Sequence, residues 1–155
     1  MELLQVVLID CISNALDIDD APIKSNITPT FSTPLSKDDT GPPRKTSWNY
    51  ASLIGMLLYL SSNSWPDIAF AVHQAAIFTN CAKQSHEKAI LQIGHYLRGT
   101  RNQGLRICPN NNFELELFVD ADFAGLWNVD HPSEAISVKS RTGYIVMLRG
   151  VPVTW

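Results

Sequence analysis

An α+β fold is what this sequence predicts, and three observations carry the prediction. Apolar residues recur at helical spacing from residue 48 to about residue 98. From residue 104 onward they alternate with a period of two. Five prolines, Pro22, Pro29, Pro34, Pro42 and Pro43, separate these blocks from a short apolar segment at the start. Helices therefore come first and an antiparallel run of strands follows, segregated along the chain rather than interleaved.

Residues 3–16 carry Leu3, Leu4, Val7, Leu8, Ile12 and Leu16 at roughly helical spacing, which predicts a short amphipathic helix. Residues 19–47 are rich in Pro, Ser, Thr and Asp, and no helix runs through that many prolines. This stretch is expected to be an extended linker, a joint between domains.

Three helices are expected next. Residues 48–61 are apolar on nearly every side (Leu53, Ile54, Met56, Leu57, Leu58, Leu60), so this helix should be buried. Residues 65–81 open with Ser64 as the cap and Pro66 in the first turn, where its missing N–H costs little. Asp67 beside it suits the positive end of the helix dipole. Residues 85–98 start with Ser85 as the cap and Glu87 in the first turn. Ile90, Ile93, Gly94 and Leu97 form the inward stripe, and Gly99 is placed to close the helix in the left-handed conformation.

Strands are expected at 104–108, 113–120, 142–148 and from 151 onward, with Pro109 to Asn112 as a turn. In the second of these, Phe113, Leu115, Leu117 and Val119 share one face, and Glu114, Glu116, Phe118 and Asp120 the other. The expected domain plan is 1–18 as a helix, 19–47 as linker, 48–107 as a helical region and 113–155 as a sheet.

Charge is unevenly spread although the net value is only −3. Residues 83–112 hold five Lys or Arg against one Glu, and residues 113–134 hold six acids and no Lys or Arg. Such blocks are either solvated faces of neighbouring elements or a backbone-binding surface beside an acidic pocket. Cys11, Cys81 and Cys108 are scattered and form no CxxC pair, which points to reduced thiols in an intracellular, cytoplasmic or nuclear, setting. With four dispersed histidines they give no zinc-site spacing. The longest apolar run, residues 51–60, is half of the ~20 residues a membrane span needs, so no membrane association is expected.

Five phrases then point to one family: YASLIGMLLYL at 50–60, PDIAFAV at 66–72, HYLRGT at 95–100, DADFAG at 120–125 and KSRTGY at 139–144. In this order and spacing they resemble the Pol polyprotein of copia-type LTR retrotransposons. The matching part is the tail of the reverse transcriptase region and the opening of the ribonuclease H domain. Thr28-Pro29 and Thr33-Pro34 resemble the Thr-Pro segment that precedes these helices in the family. The chain departs from the family pattern at 126–138, where LWNVDHPSEAISV replaces a shorter acidic turn.

The resemblance implies a helical connection region followed by the first three antiparallel strands of an incomplete RNase H-like sheet. It implies a Mg²⁺ or Mn²⁺ site in which Asp120 is the first-strand ligand, a metal this fragment is not expected to hold stably; Asp122, two residues on, is a second candidate from its spacing, against the plainer reading of both as turn-forming aspartates. The family's remaining carboxylates are expected beyond Trp155, and no Tyr-x-Asp-Asp polymerase turn occurs. Glu134 is a loop residue that could imitate a missing ligand. Lys83, Lys88, Arg98 and Arg101 are the candidates for tracking an RNA–DNA hybrid, or alternatively exposed helix charges. Other Pol chains are the second class of expected partner. The parent activity would be RNA-directed DNA synthesis with RNA strand cleavage, and the chain alone is expected to do neither. The sheet face assigned to Leu115, Leu117, Ile145 and Met147 is expected to lie poorly covered.

Overall fold

Eleven residues in the first helix set the pattern: Ile9, Ile12 and Leu16 of α1 (Val6–Leu16) turn one stripe inward and are almost wholly buried. The computed structural model describes residues 1–20, 22, 28–124 and 140–155. These fall into two compact units, one of residues 2–106 and one of residues 107–155 with Met1. The first is helical and the second is a sheet, so the chain is α+β as expected.

In the helical unit, α1 is followed by α2 (Tyr50–Asn63), α3 (Ala69–Ile77) and α4 (Gln84–Gly99). Two-residue strands β1 (Glu2–Leu3) and β2 (Leu105–Arg106) pair antiparallel and bring the ends of the unit together. The strand expected at 104–108 is thus short, and its partner is the start of the chain rather than the following strands. Gly104 permits this closure, because a Cβ there would lie 2.5 Å from the Leu3 carbonyl oxygen.

The helix starts and stops differ from the expected ones for local reasons. α2 begins at Tyr50 because the Asn49 side chain accepts the Ser52 N–H at 2.9 Å. Its inner face buries Leu53, Ile54, Leu57 and Leu60, but Leu58 and Tyr59 are exposed, so the helix is amphipathic rather than buried all round. Ser64 does not cap the next helix; it ends α2, and its hydroxyl is buried without a partner. Pro66 opens a single 3-10 turn, Pro66–Ile68, that leads into α3. α3 stops at Ile77 rather than Cys81, where the Thr79 hydroxyl takes the Ala76 carbonyl at 2.7 Å.

α4 starts one residue earlier than expected. Ser85 is no cap, because its hydroxyl donates to Asp38 at 2.6 Å. His86 takes that role instead, its Nδ1 accepting the Lys83 N–H at 2.9 Å. The stripe Ile90, Ile93, Gly94 and Leu97 is buried as expected. A Cβ on Gly94 would lie 2.4 Å from Leu16 Cδ1, so glycine sets how closely α1 approaches α4. Gly99 is the last helical residue and is not left-handed; Thr100 closes the helix through its N–H and hydroxyl, both bonded to the Tyr96 carbonyl.

The described part of the proline-rich stretch, from residue 28 on, contains no helix and is strapped to the helices around it. The Leu35 N–H donates to Gln74 Oε1 at 3.2 Å, and the Gln84 N–H donates to the Pro42 carbonyl at 3.2 Å. The main anchor is Glu87, whose residue surface is only 3% exposed. Its carboxylate accepts the N–H groups of Lys45 and Thr46 and the Arg44 Nε–H, each at 3.1 Å, and the Thr46 hydroxyl as well. Arg44 also donates to the Trp48 carbonyl, and its guanidinium lies 4.5 Å from the Trp48 ring centroid.

In the sheet unit, β3 (Leu115–Asp122), β4 (Arg141–Leu148) and β5 (Val151–Thr154) form an antiparallel meander in that order. β4 turns into β5 through Arg149 and Gly150, both at positive φ (55° and 73°), the twist-matched two-residue hairpin. Pro152 lies on an edge strand, beside a register shift, where its missing N–H is tolerated.

The register corrects one expected face. Leu115 pairs with Leu148, Leu117 with Val146 and Val119 with Tyr144, whereas Ile145 pairs with Phe118 and Met147 with Glu116. Paired residues share a face, so Ile145 and Met147 lie opposite to Leu115 and Leu117, because the pairing is offset by one from the expected grouping. The expected exposure holds for part of that set: Leu115 and Leu117 are each more than 60% exposed, whereas Ile145 and Met147 are half-buried.

Two outcomes follow. Glu87→Ala should lower the free energy of unfolding by about 3 kcal/mol, read by denaturant titration, because it strands Arg44 and two backbone N–H groups. Burial alone would raise the Glu87 carboxyl, but the donors from Thr46, Lys45 and Arg44 outweigh it and hold it below the ordinary 4.5. The wild-type advantage over that variant is therefore complete above pH 4.5 and fades as pH falls through the lower folded value. An advantage that grew on acidification would contradict this network. With Leu115, Leu117 and Val119 exposed, the sheet unit should also bind a hydrophobic dye under native conditions. A sharp monomer that leaves the dye dark would count against that exposure.

Candidate functional site

β3 is the element that positions the acidic candidates. Asp120 and Asp122 stand two residues apart and so project from the same face. Across the ladder, Asp120 is paired with Gly143 and Asp122 with Arg141. Among the described residues, a Cβ on Gly143 would meet nothing within 4 Å. Asp120 is exposed and Asp122 half-buried. The arginine opposite Asp122 was not singled out from the sequence, since only the register puts it there.

Among the described residues no third His, Cys, Asp or Glu joins these two to form a metal-binding group. Two carboxylates on one strand face suit a single hard cation, and a pair of ions needs more ligands than that. Glu134 lies outside the described residues. Glu116 is exposed and faces Met147 across the ladder.

The basic candidates divide by what they already hold. Arg98 donates to the carbonyls of Ile18 and Asp19, tying the exit of α1 to the end of α4. Arg101 makes a two-pronged ion pair with Asp10, at 2.5 and 2.6 Å. That pair and its hydrogen bonds lower the Asp10 carboxyl and raise the Arg101 guanidinium. Lys88 is exposed and Lys83 half-buried at the start of α4.

Elsewhere in the helical unit, a shallow apolar groove of about 590 Å³ runs between α1 and α2, lined by Val7, Leu8, Cys11, Gly55, Met56 and Tyr59. The three cysteines are free and exposed. Among the described residues no helix is long and apolar enough to cross a membrane.

Comparison with known proteins gives these elements a context. The chain is 33% identical over 106 residues to the retrovirus-related Pol polyprotein from transposon RE1 of Arabidopsis thaliana, covering 68% of this chain and 7% of that protein. It is 28% identical over 130 residues to a putative transposon Ty5-1 protein of Saccharomyces cerevisiae, covering 84% of this chain and 38% of the relative. The chain belongs to the copia-type retrotransposon Pol family. It spans less than half the length of either of these relatives. The secreted RxLR effector protein 161 of Plasmopara viticola is also similar, 30% identical over 106 residues, which cover 68% of this chain and 69% of that protein. No family model and no solved structure matches the chain.

The basic side chains can be separated by experiment. Arg98→Ala should cost about 1–2 kcal/mol, since two backbone carbonyls lose a charged donor. Lys88→Ala should leave the thermal midpoint within about 3 °C. An Arg98→Ala midpoint as little changed as that expected for Lys88→Ala would mean that Arg98 carries no structural role.

Proposed function

We propose that this Pol-family chain combines a connection region from the end of a reverse transcriptase, residues 2–106, with the opening strands of a ribonuclease H-like domain, residues 113–155. The observation that carries this reading is DADFAG at 120–125, whose first aspartate stands near the end of β3 and pairs with Gly143 across the ladder. Residues 141–144 of the KSRTGY phrase open β4, the strand paired with β3, which supports the reading. In the parent reaction, Mg²⁺ or Mn²⁺ would activate water and steady the leaving oxygen during RNA strand cleavage. Asp120 is the residue that would hold such an ion, with Asp122 beside it. Two carboxylates leave a bimetallic centre short of ligands, so the chain alone is proposed to be inactive.

A second reading is a non-catalytic module that binds nucleic acid or another Pol chain. The likeness to a secreted effector, over most of that relative's length, favours it, because related sequence is there carried by a protein named for something other than Pol. In this reading Lys83 and Lys88 are the cations to follow, since Arg98 and Arg101 already bind within the helical unit.

The test is a labelled RNA–DNA hybrid incubated with purified chain and Mg²⁺ or Mn²⁺. No cleavage is expected. Cleavage that Asp120→Asn abolishes would overturn the inactivity. A salt-dependent gel shift without cleavage, weakened in a Lys83→Ala/Lys88→Ala double variant, would support the binding module.

A further inference from the structure

β3 is an end strand of its sheet, whose order is β3-β4-β5, and among the described residues no strand pairs with its other edge. The register tells which backbone groups that edge offers. The Arg149 N–H donates to the Glu114 carbonyl at 2.9 Å, one step beyond the Leu115–Leu148 pair. Bonded and non-bonded pairs alternate in an antiparallel ladder, so Glu116, Phe118 and Asp120 bond to β4. Leu115, Leu117, Val119 and Ala121 therefore aim their N–H and C=O groups away from it. All four residues are exposed.

The two faces of β3 differ in kind. One carries Leu115, Leu117 and Val119, and the other carries Glu116, Asp120 and Asp122 around Phe118. Arg141 stands opposite Asp122, but Glu116 and Asp120 are paired with Met147 and Gly143, which bear no charge. A strand added at the outer edge would meet carboxylates on one face and aliphatic side chains on the other.

We propose that the outer edge of β3 takes up an extended peptide in which Lys or Arg alternates with aliphatic residues, its backbone bonding to residues 115–121. Opposite charges stabilise directly opposed positions in a sheet, and like charges destabilise them. Basic residues against Glu116 and Asp120 match the acidic face, while Val or Ile against Leu117 and Val119 covers the apolar one. Main-chain bonds supply the attachment and the alternating side chains supply the selectivity.

A second copy of the chain fits this edge poorly. Antiparallel two-fold pairing of β3 with itself keeps each face, so carboxylates meet carboxylates whichever residue lies on the axis. Centring on 116 or 120 sets Glu116 or Asp120 against itself. Centring on 117 opposes Glu114 to Asp120, on 118 Glu116 to Asp120, and on 119 Glu116 to Asp122. A basic strand removes that conflict.

Fluorescence anisotropy of the full chain with three labelled eight-residue probes tests this. A Lys-Val repeat should bind. A Glu-Val repeat, alike in pattern and opposite in charge, should bind about tenfold or more weakly. A Lys-Val repeat N-methylated at each Val keeps its charge but loses the donors that face β3, and should also weaken about tenfold. With the first probe bound, hydrogen exchange at the outward amides of Leu117 and Val119 should slow about tenfold more than at the inward amides of Glu116 and Phe118. A Glu116→Gln/Asp120→Asn double variant should lose about tenfold in affinity for the Lys-Val probe. Equal binding of the Glu-Val or the methylated probe would overturn the proposal, as would an unchanged affinity in the folded double variant. So would slowing of the outward amides with rising protein concentration and no probe, which would give the edge to a second copy.

Discussion

The Glu87 carboxylate is the interaction on which the helical unit's arrangement depends. It sits in the first turn of α4, where the helix dipole already favours negative charge. A buried carboxylate is costly unless its lone pairs are filled, and here the strap fills them with two backbone N–H groups, a hydroxyl and a guanidinium. The same strap residues thereby gain partners for backbone groups that an extended, proline-broken segment could not satisfy on its own. Arg44 carries the link onward to Trp48 and Tyr50, so the entry into α2 is oriented by a residue on α4.

Much of the architecture was legible because it is local. The inward stripe of α4, the proline that opens the turn before α3, and the alternation of β3 are all written within a few residues of one another. What was not legible is long-range. Ser64 and Ser85 looked like caps, but the first hydroxyl is buried under its own helix end and the second is taken by Asp38, 47 residues away. Glu87 read as a first-turn charge because nothing near it announces three partners at 44–46. The face shared by Ile145 and Met147 failed for a related reason: alternation fixes the faces within each strand, and only pairing fixes them between strands.

The site candidates show the same division. Asp120 and Asp122 on one face follow from their spacing, whereas Arg141 opposite Asp122 and Gly143 opposite Asp120 come from register alone. Arg98 and Arg101 belong to the basic block by count, yet both reach back to the α1 segment, across 80 and 91 residues of sequence. A cluster read from sequence as one electropositive surface is in part the internal stitching of a helical unit. Family membership accounts for the motif phrases, and the helical unit can be understood without reference to any chemistry at the aspartates.

The small clasp made by Glu2–Leu3 against Leu105–Arg106 has a consequence for how such a unit travels between proteins. Its entrance and exit lie side by side, so flanking polypeptide of any length can be attached at both without pulling on the interior. A segment with that geometry behaves as a cassette: it can be grafted into a larger open reading frame, or excised from one, at the expense of two short rungs of ladder.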